Sequence, residues 1–266
     1  MSASEPAVVY EVRGAVAWLT INRPGNRNAL SREVRDGLWA GYRRFAADKA
    51  VAVLVLTGAG DRVFCAGGDL NEVSGERLQL PPTDFIPTPA SELINPSLGR
   101  NIAIDKPVIA AINGAAYAGG FLLAQACDLC VAAAHARFAV PEVKVGRGCG
   151  WAAPLPWLIP PRVALELLLT GEPIGADRAH EIGLVNSVVP AGELTAAAQG
   201  LAERIAANAP ISVRRARQMV YATAGCSLEQ ALEIGHMICS EAYLSEDAQE
   251  GPKAFLEKRT PVWLGR

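Results

Sequence analysis

The sequence predicts an α/β fold. Short, wholly apolar runs of strand length alternate with amphipathic segments of helical period up to about residue 190, and helical patterning takes over beyond it. The chain has 266 residues, half of them apolar, with a formal net charge of −2. That is enough for one large domain, or one domain with an extension, around a sizeable core. The near-neutral balance argues against a nucleic-acid partner, although a local basic cluster could still hold a phosphate. The early stretch VVYEVRGAVAWLTINR is interrupted by Glu11 and Arg13, so it reads as strands rather than as a signal peptide or membrane span. A cytoplasmic protein without a membrane partner is expected.

VVYEVRG and AVAWLTINRP read as two strands meeting in a turn at Arg13-Gly14. SREVRDGLWAGYRRFAADK has the helical period, with Ser31 able to cap it and Val34, Leu38, Tyr42 and Phe45 on one face. Its acids come early and its bases late, as the helix dipole favours. AVAVLVLTG is continuously apolar, the mark of a strand covered on both faces, and PVIAAINGAA and DLCVAAAHARFAV repeat that type. The proline-rich segment between Val73 and Arg100 has no clear period and reads as a mobile loop near a pocket or as a surface insertion. Beyond it, PRVALELLLTG has proline at its start and Gly171 after its end. SLEQALEIGHMICSEAYL opens with a capping box of Ser227 and Gln230, and GPKAFLEKR supplies a last helix.

Most chemistry-bearing motifs are absent. There is no G-x-S-x-G, no GK[ST] phosphate loop and no zinc-protease helix. Cys127 and Cys130 form one C-x-x-C with no second pair to complete a zinc site, so the six cysteines read as ordinary buried thiols and no metal is expected. His135, His180 and His236 are isolated, and Cys149 has no histidine tied to it, which leaves a nucleophilic role unsupported. What remains unusual is AYAGGFLLAQACDL. It has paired glycines where Ser, Thr, Asp or Asn would ordinarily cap a helix, then an apolar run with no charge before Asp128.

Four segments in order, NRPGNRNALS, FCAGGDLNEV, INGAAYAGGFLLAQACDL and RFAVPEVKVG, together resemble the crotonase family, the enoyl-CoA hydratases and isomerases. LTGEPIGADRAHEIGLVNSVVP and EGPKAFLEKR extend the resemblance over nearly the whole chain. It implies a crotonase-like spiral of repeated ββα units over residues 1–190, carrying an oxyanion hole and a CoA site. Residues 191–266 would form a helical region that builds a homotrimer or a dimer of trimers. The implied partner is an acyl-CoA thioester, and coenzyme A arrives as part of that substrate rather than as a separate cofactor. Two backbone N–H groups, here those of Gly68 and Gly119, would point at the thioester oxygen and hold the negative charge of an enolate. The plainer alternative is that these glycines only ease a tight turn. By the same resemblance Arg27 would lie near the CoA phosphates, and Ala66, Asp69 and Leu70 would border the adenine and pantetheine path. Phe255 and Lys258 would reach a neighbouring subunit's CoA. Solvated surface side chains are the other reading for the arginine and the lysine.

The chain departs from the family pattern at one decisive position. A hydratase of this family uses two glutamates. One follows the second oxyanion glycine by three residues, and the other lies in the downstream Pro-Glu pair. Here the second is Glu142, but the first position holds Leu122, which can neither take a proton from water nor hold it. One carboxylate suffices to move a double bond, so the resemblance implies an enoyl-CoA isomerase with Glu142 as sole acid and base. The alternatives are a hydratase or hydratase-lyase with a non-standard second group, a non-catalytic acyl-CoA binder, or a Glu142 that is only a salt-bridged carboxylate. GRGCGWAAPLPW replaces the family's small-residue turn, and Trp151 is expected to reshape the substrate pocket beside Glu142 and Leu122.

Overall fold

Residues 5–69, 72 and 104–266 are described by the structure, a computed structural model. The expected loop between Val73 and Arg100 lies outside the described residues, as does Leu70. Strands β1 (Val8–Arg13) and β2 (Val16–Ile21) pair antiparallel across the turn at Gly14, whose positive φ of 62° suits glycine. Helix α1 (Arg32–Ala47) follows, with the Ser31 hydroxyl accepting from the Val34 N–H and Val34, Leu38, Tyr42 and Phe45 buried, as the period requires.

The chain then climbs through a repeated unit. Strands β3 (Val53–Gly58), β5 (Val108–Ile112) and β7 (Leu129–Ala133) add side by side and parallel to β2. Each is followed after a sharp turn by a short strand, β4 (Val63–Cys65), β6 (Ala115–Tyr117) or β8 (Arg137–Ala139), and these build a second sheet. Helix α2 (Gly119–Gln125) leaves β6 and completes one ββα turn. Downstream come α3 (Leu155–Leu158), α4 (Pro161–Thr170), β9 (Ile174–Gly175), α5 (Ala176–Glu181) and β10 (Ser187–Val189). The first sheet therefore runs β1-β2-β3-β5-β7-β10 and the second β4-β6-β8-β9.

Here the structure refines the sequence reading. PVIAAINGAA and DLCVAAAHARFAV are each two strands in different sheets, not one continuous strand. In the first, the corner is made by Asn113 and Gly114. The Asn113 side chain accepts from the Gly58 N–H and donates to the Gly60 carbonyl, and Gly114 lies against the Arg62 backbone with no room for a Cβ. Apolar character continues through such a corner because both sheets are buried, so hydrophobicity alone does not mark the break.

The first sheet is covered on both faces. Leu54 and Leu56 of β3 join α1 in the larger cluster, whereas Val53 and Val55 face Leu194, Ala198 and Ala202 of helix α6 (Leu194–Ala206). Helix α7 (Pro210–Ala222) docks through Arg217, whose guanidinium lies 2.8 Å from the Asp128 carboxylate. Asp128 also accepts from the Val108 N–H, so one carboxylate joins α7 to the end of β5. Helix α8 (Leu228–Leu244) carries the expected capping box of Ser227 and Gln230. Helix α9 (Asp247–Glu257) starts four residues before the Gly251-Pro252 pair and takes Pro252 into its interior. No helix among the described residues is long and apolar enough to cross a membrane.

Phe45 is fully buried, and the Lys106 ammonium both sits over its ring and donates to its carbonyl. Phe45→Ala should therefore lower the unfolding free energy by about 3–5 kcal/mol in urea denaturation.

Candidate active site

The site is floored by backbone. A Cβ on Gly67 would lie 2.8 Å from the Ala118 Cβ and 3.1 Å from the Gly119 amide nitrogen, and its φ of 92° is open to glycine alone. Gly120 lies so close to β4 that a Cβ there would penetrate the Cys65 carbonyl oxygen. The glycines after β4 and before α2 thus let two main chains touch. Gly119 thereby lies against Gly67, the residue next to Gly68 in sequence. Gly119 is the first residue of α2, so its N–H has no acceptor inside its own helix. The space beside Gly68 is open, with no atom within 4 Å of where a Cβ would stand. Ala118, the N-cap of α2, adopts φ 51° and ψ −120°. That sparsely populated conformation turns the chain from β6 into the helix and costs on the order of 1–3 kcal/mol, which the surrounding contacts must offset.

NRPGNRNALS wraps the same floor. Asn28 is completely buried. Its side chain accepts from the Arg23 N–H and donates to the carbonyls of Ala59 and Val63, holding Arg27 and Asn28 at φ 54° and 52°. The Arg27 carbonyl accepts from the Ala66 N–H, and the Leu30 N–H donates to the Gly67 carbonyl. Arg27 and Ala66 are therefore together at the edge of the glycine contact, with the Arg27 side chain exposed. Asp69 is buried and ion-paired at 3.0 Å to Arg23. Phe255 is 83% exposed at the end of α9, and Lys258 caps that helix in the left-handed conformation. Within one chain neither is joined to the Arg27–Asp69 cluster by a hydrogen bond or ion pair among the described residues.

Glu142 sits in the 3₁₀ turn Pro141–Val145 directly after β8. One carboxylate oxygen, Oε1, accepts from the Trp151 indole N–H at 3.2 Å, and the other, Oε2, is buried with no hydrogen-bond partner among the described residues. Burial raises the Glu142 pKa above the usual carboxylate range. Its own backbone N–H, the Trp151 indole and the Arg147 charge oppose that shift without cancelling it. The Cys149 thiol is also held above its usual value, by burial and then by the Glu142 charge, which disfavours the thiolate a nucleophilic role needs. Leu122, 7% exposed, belongs to neither hydrophobic cluster, although its neighbours Phe121, Leu123 and Ala124 pack into the larger one.

Two features escape a reading of the sequence. The Trp151–Glu142 hydrogen bond spans nine residues of irregular chain, where no periodicity fixes direction. Asn28 is hidden inside a motif whose arginine draws attention, although Asn is the residue that tolerates the left-handed conformation, and that was the available signal.

The sequence profile of the family described as enoyl-CoA hydratase/isomerase matches residues 11–266. The chain is 38% identical over 260 residues to (E)-benzylidenesuccinyl-CoA hydratase of Thauera aromatica, covering 97% of this chain and 99% of that protein. It is 38% identical over 261 residues to carnitinyl-CoA dehydratase of Proteus mirabilis (strain HI4320), covering 96% and 97%. Among solved structures, an enoyl-CoA hydratase from Bacillus anthracis matches with a TM-score of 0.90 at 32% identity, covering 98% of this chain and 100% of that one.

Two outcomes follow from this geometry. Gly120→Ala should destabilise by about 1–3 kcal/mol in chemical denaturation, because its obstacle is a main-chain carbonyl that cannot rotate away. For Glu142, a folded-state pKa above the unfolded one means that the native state binds the proton more tightly. Stability is then lost as pH rises from the ordinary carboxylate range through the raised value. Glu142→Gln keeps the acceptor for Trp151 and removes the charge. It should melt at higher temperature than the parent at neutral pH and at the same temperature in acid.

Proposed function

The chain belongs to the enoyl-CoA hydratase/isomerase family, and on that premise we propose that it shifts the double bond of an enoyl-CoA thioester with Glu142 as the sole acid and base. The observation that carries this reading is the state of Glu142 itself. One oxygen is fixed by Trp151, the other is buried without a partner among the described residues, and burial strengthens it as a base.

In this reading Glu142 Oε2 takes a proton from C2 of a 3-enoyl thioester. The C2–H electron pair becomes a C1=C2 bond as the carbonyl pair moves onto the thioester oxygen, where the Gly68 and Gly119 amides hold the resulting dienolate. Glu142, now a carboxylic acid, returns its proton to C4 and leaves the conjugated 2-enoyl thioester. Leu122 stands where the family pattern puts the first glutamate, and its apolar side chain keeps a competing water from being activated there. Arg27, Ala66 and Asp69 would line the CoA path, with Leu70 continuing it outside the described residues. Phe255 and Lys258 would serve the CoA of a neighbouring copy in a trimer or a pair of trimers assembled through residues 191–266. The exposure of Leu228, Tyr243, Leu244, Phe255 and Leu256 on α8 and α9 supports such an assembly.

A second reading is favoured by the names of the relatives, a hydratase and a dehydratase. It is addition or removal of water, with another group replacing the missing carboxylate. One experiment separates them: 3-hexenoyl-CoA and crotonyl-CoA are followed by the absorbance of the conjugated thioester. Conjugation should grow from the 3-enoyl substrate and fall by about 10²–10⁴ in Glu142→Gln. Loss of crotonyl-CoA absorbance without any gain from 3-hexenoyl-CoA would replace isomerisation by hydration. Silence toward both, with thioesters still bound, would leave a binder.

A further inference from the structure

Glu142 is not held by its own turn alone. Trp151 donates its indole N–H to Oε1, and Trp151 is fixed in turn at two points by α2. The Gln125 side-chain amide donates to the Trp151 carbonyl at 2.8 Å, and the Phe121 ring packs on the indole with centroids 6.1 Å apart. Phe121 is itself buried and meets Phe138 of β8 edge-on, at 6.2 Å. Phe138 stands four residues before Glu142, so the chain of contacts closes on itself: Glu142, Trp151, Phe121, Phe138, and back along β8. Gln125 is the last residue of α2 and Gly119 the first. A helix of two turns therefore offers an amide at one end and grips the tryptophan at the other.

From this closed circuit we propose that Trp151 is a positioning residue for Glu142, and that it ties the Glu142 carboxylate to the helix bearing Gly119. The proposal rests on the reading of Glu142 as the acid and base, and it adds what aims that group. With Oε1 occupied by the indole, proton transfer is confined to Oε2, and the carboxylate cannot turn end over end. Because Gln125 holds the Trp151 main chain and Phe121 packs on its indole, the separation between Oε2 and the Gly119 amide is set by α2. Irregular chain after Val145 does not set it. A base and an oxyanion donor acting on one substrate need their spacing held closely, and a small misplacement is expensive in rate.

The alternative is that Trp151 merely fills space, and the two roles differ in what they do to Glu142. Its own backbone N–H apart, the groups facing Glu142 among the described residues are the Trp151 indole, the Arg147 charge and the Cys149 thiol. Of these, only the indole donates a hydrogen bond to its carboxylate. Removing it takes away a hydrogen bond that favours the charged form and leaves the burial unopposed on that side, so the carboxylate should hold its proton to higher pH.

The test compares the parent, Trp151→Phe, Glu142→Gln and the double variant. Trp151→Phe keeps an aromatic ring against Phe121 and loses only the donor. With 3-hexenoyl-CoA, kcat should fall on the order of tenfold, the worth of one hydrogen bond to a charged group. KM should stay within about twofold, since the lost interaction serves the transition state. The acid limb of the kcat profile should move to higher pH. In the Glu142→Gln background the tryptophan substitution should have no further effect on kcat. An unmoved acid limb, with effects that simply multiply in the double variant, would overturn the proposal.

A second readout needs no turnover, and so separates this inference from the assignment of the reaction. The rise in melting temperature that Glu142→Gln brings at neutral pH should be larger when residue 151 is Phe than when it is Trp, and an equal rise would again overturn the proposal. Should Trp151→Phe fail to fold, Gln125→Met removes the donor to the Trp151 carbonyl and so loosens the grip while leaving both Glu142 and Trp151 in place. It should move kcat and the acid limb in the same direction by a smaller amount, and no movement in either would count against the proposal.

Discussion

The structure depends on one constraint, the main-chain contact between the loop after β4 and the start of α2. Side chains are excluded from that contact at Gly67 and Gly120, where a Cβ would meet Ala118 and the Gly119 amide, or the Cys65 carbonyl. Close-packed interiors rarely leave backbone against backbone without a hydrogen-bonded ladder, and here the small residue is the only solution. The geometry that follows is specific. Two strands of the second sheet, β4 and β6, are drawn together, α2 is launched through the strained Ala118, and the Gly119 amide is brought against Gly67.

Everything else in the site is arranged around that contact. The buried Asn28 locks a left-handed pair of residues, and the Arg27 carbonyl and the Leu30 N–H then bond to residues 66 and 67. The Arg23–Asp69 pair closes the edge of the loop. On the other side, α2 reaches Trp151 and through it Glu142. Both charged elements, the base and the developing enolate in the proposed reaction, are thereby referred to the same short helix. An arrangement of this kind suits chemistry in which little moves except protons and electrons, because preorganised donors cost no reorganisation when the charge appears.

The environment of Glu142 is a balance of opposing effects. Burial alone would favour a neutral acid that takes no proton from substrate, whereas three favourable interactions alone would give a weak base. Their combination leaves the group above its usual range, with burial the largest of the opposing effects. The apolar Leu122 belongs with that balance: it is buried yet lies outside both packed clusters. In the proposed reading its task is to be unreactive.

How much was legible in the sequence can be judged element by element. Periodicity gave α1 with its cap and buried face, the hairpin, the strands buried on both sides and the capped α8. Each of these is decided by interactions within a few residues or by a simple requirement to bury apolar surface. The ordered motifs gave the family, and the absence of a carboxylate at position 122 is a fact of sequence. Only the tertiary structure decided that two apolar runs turn a corner between sheets, that α9 begins before Gly251-Pro252, and that Gly67 and Gly120 exist to let backbones touch. It alone joined Trp151 to Glu142 and Gln125 to Trp151. The physical reason is the same throughout: local patterning fixes which surfaces must be buried, whereas the partner across an irregular segment is chosen by packing between distant parts of the chain.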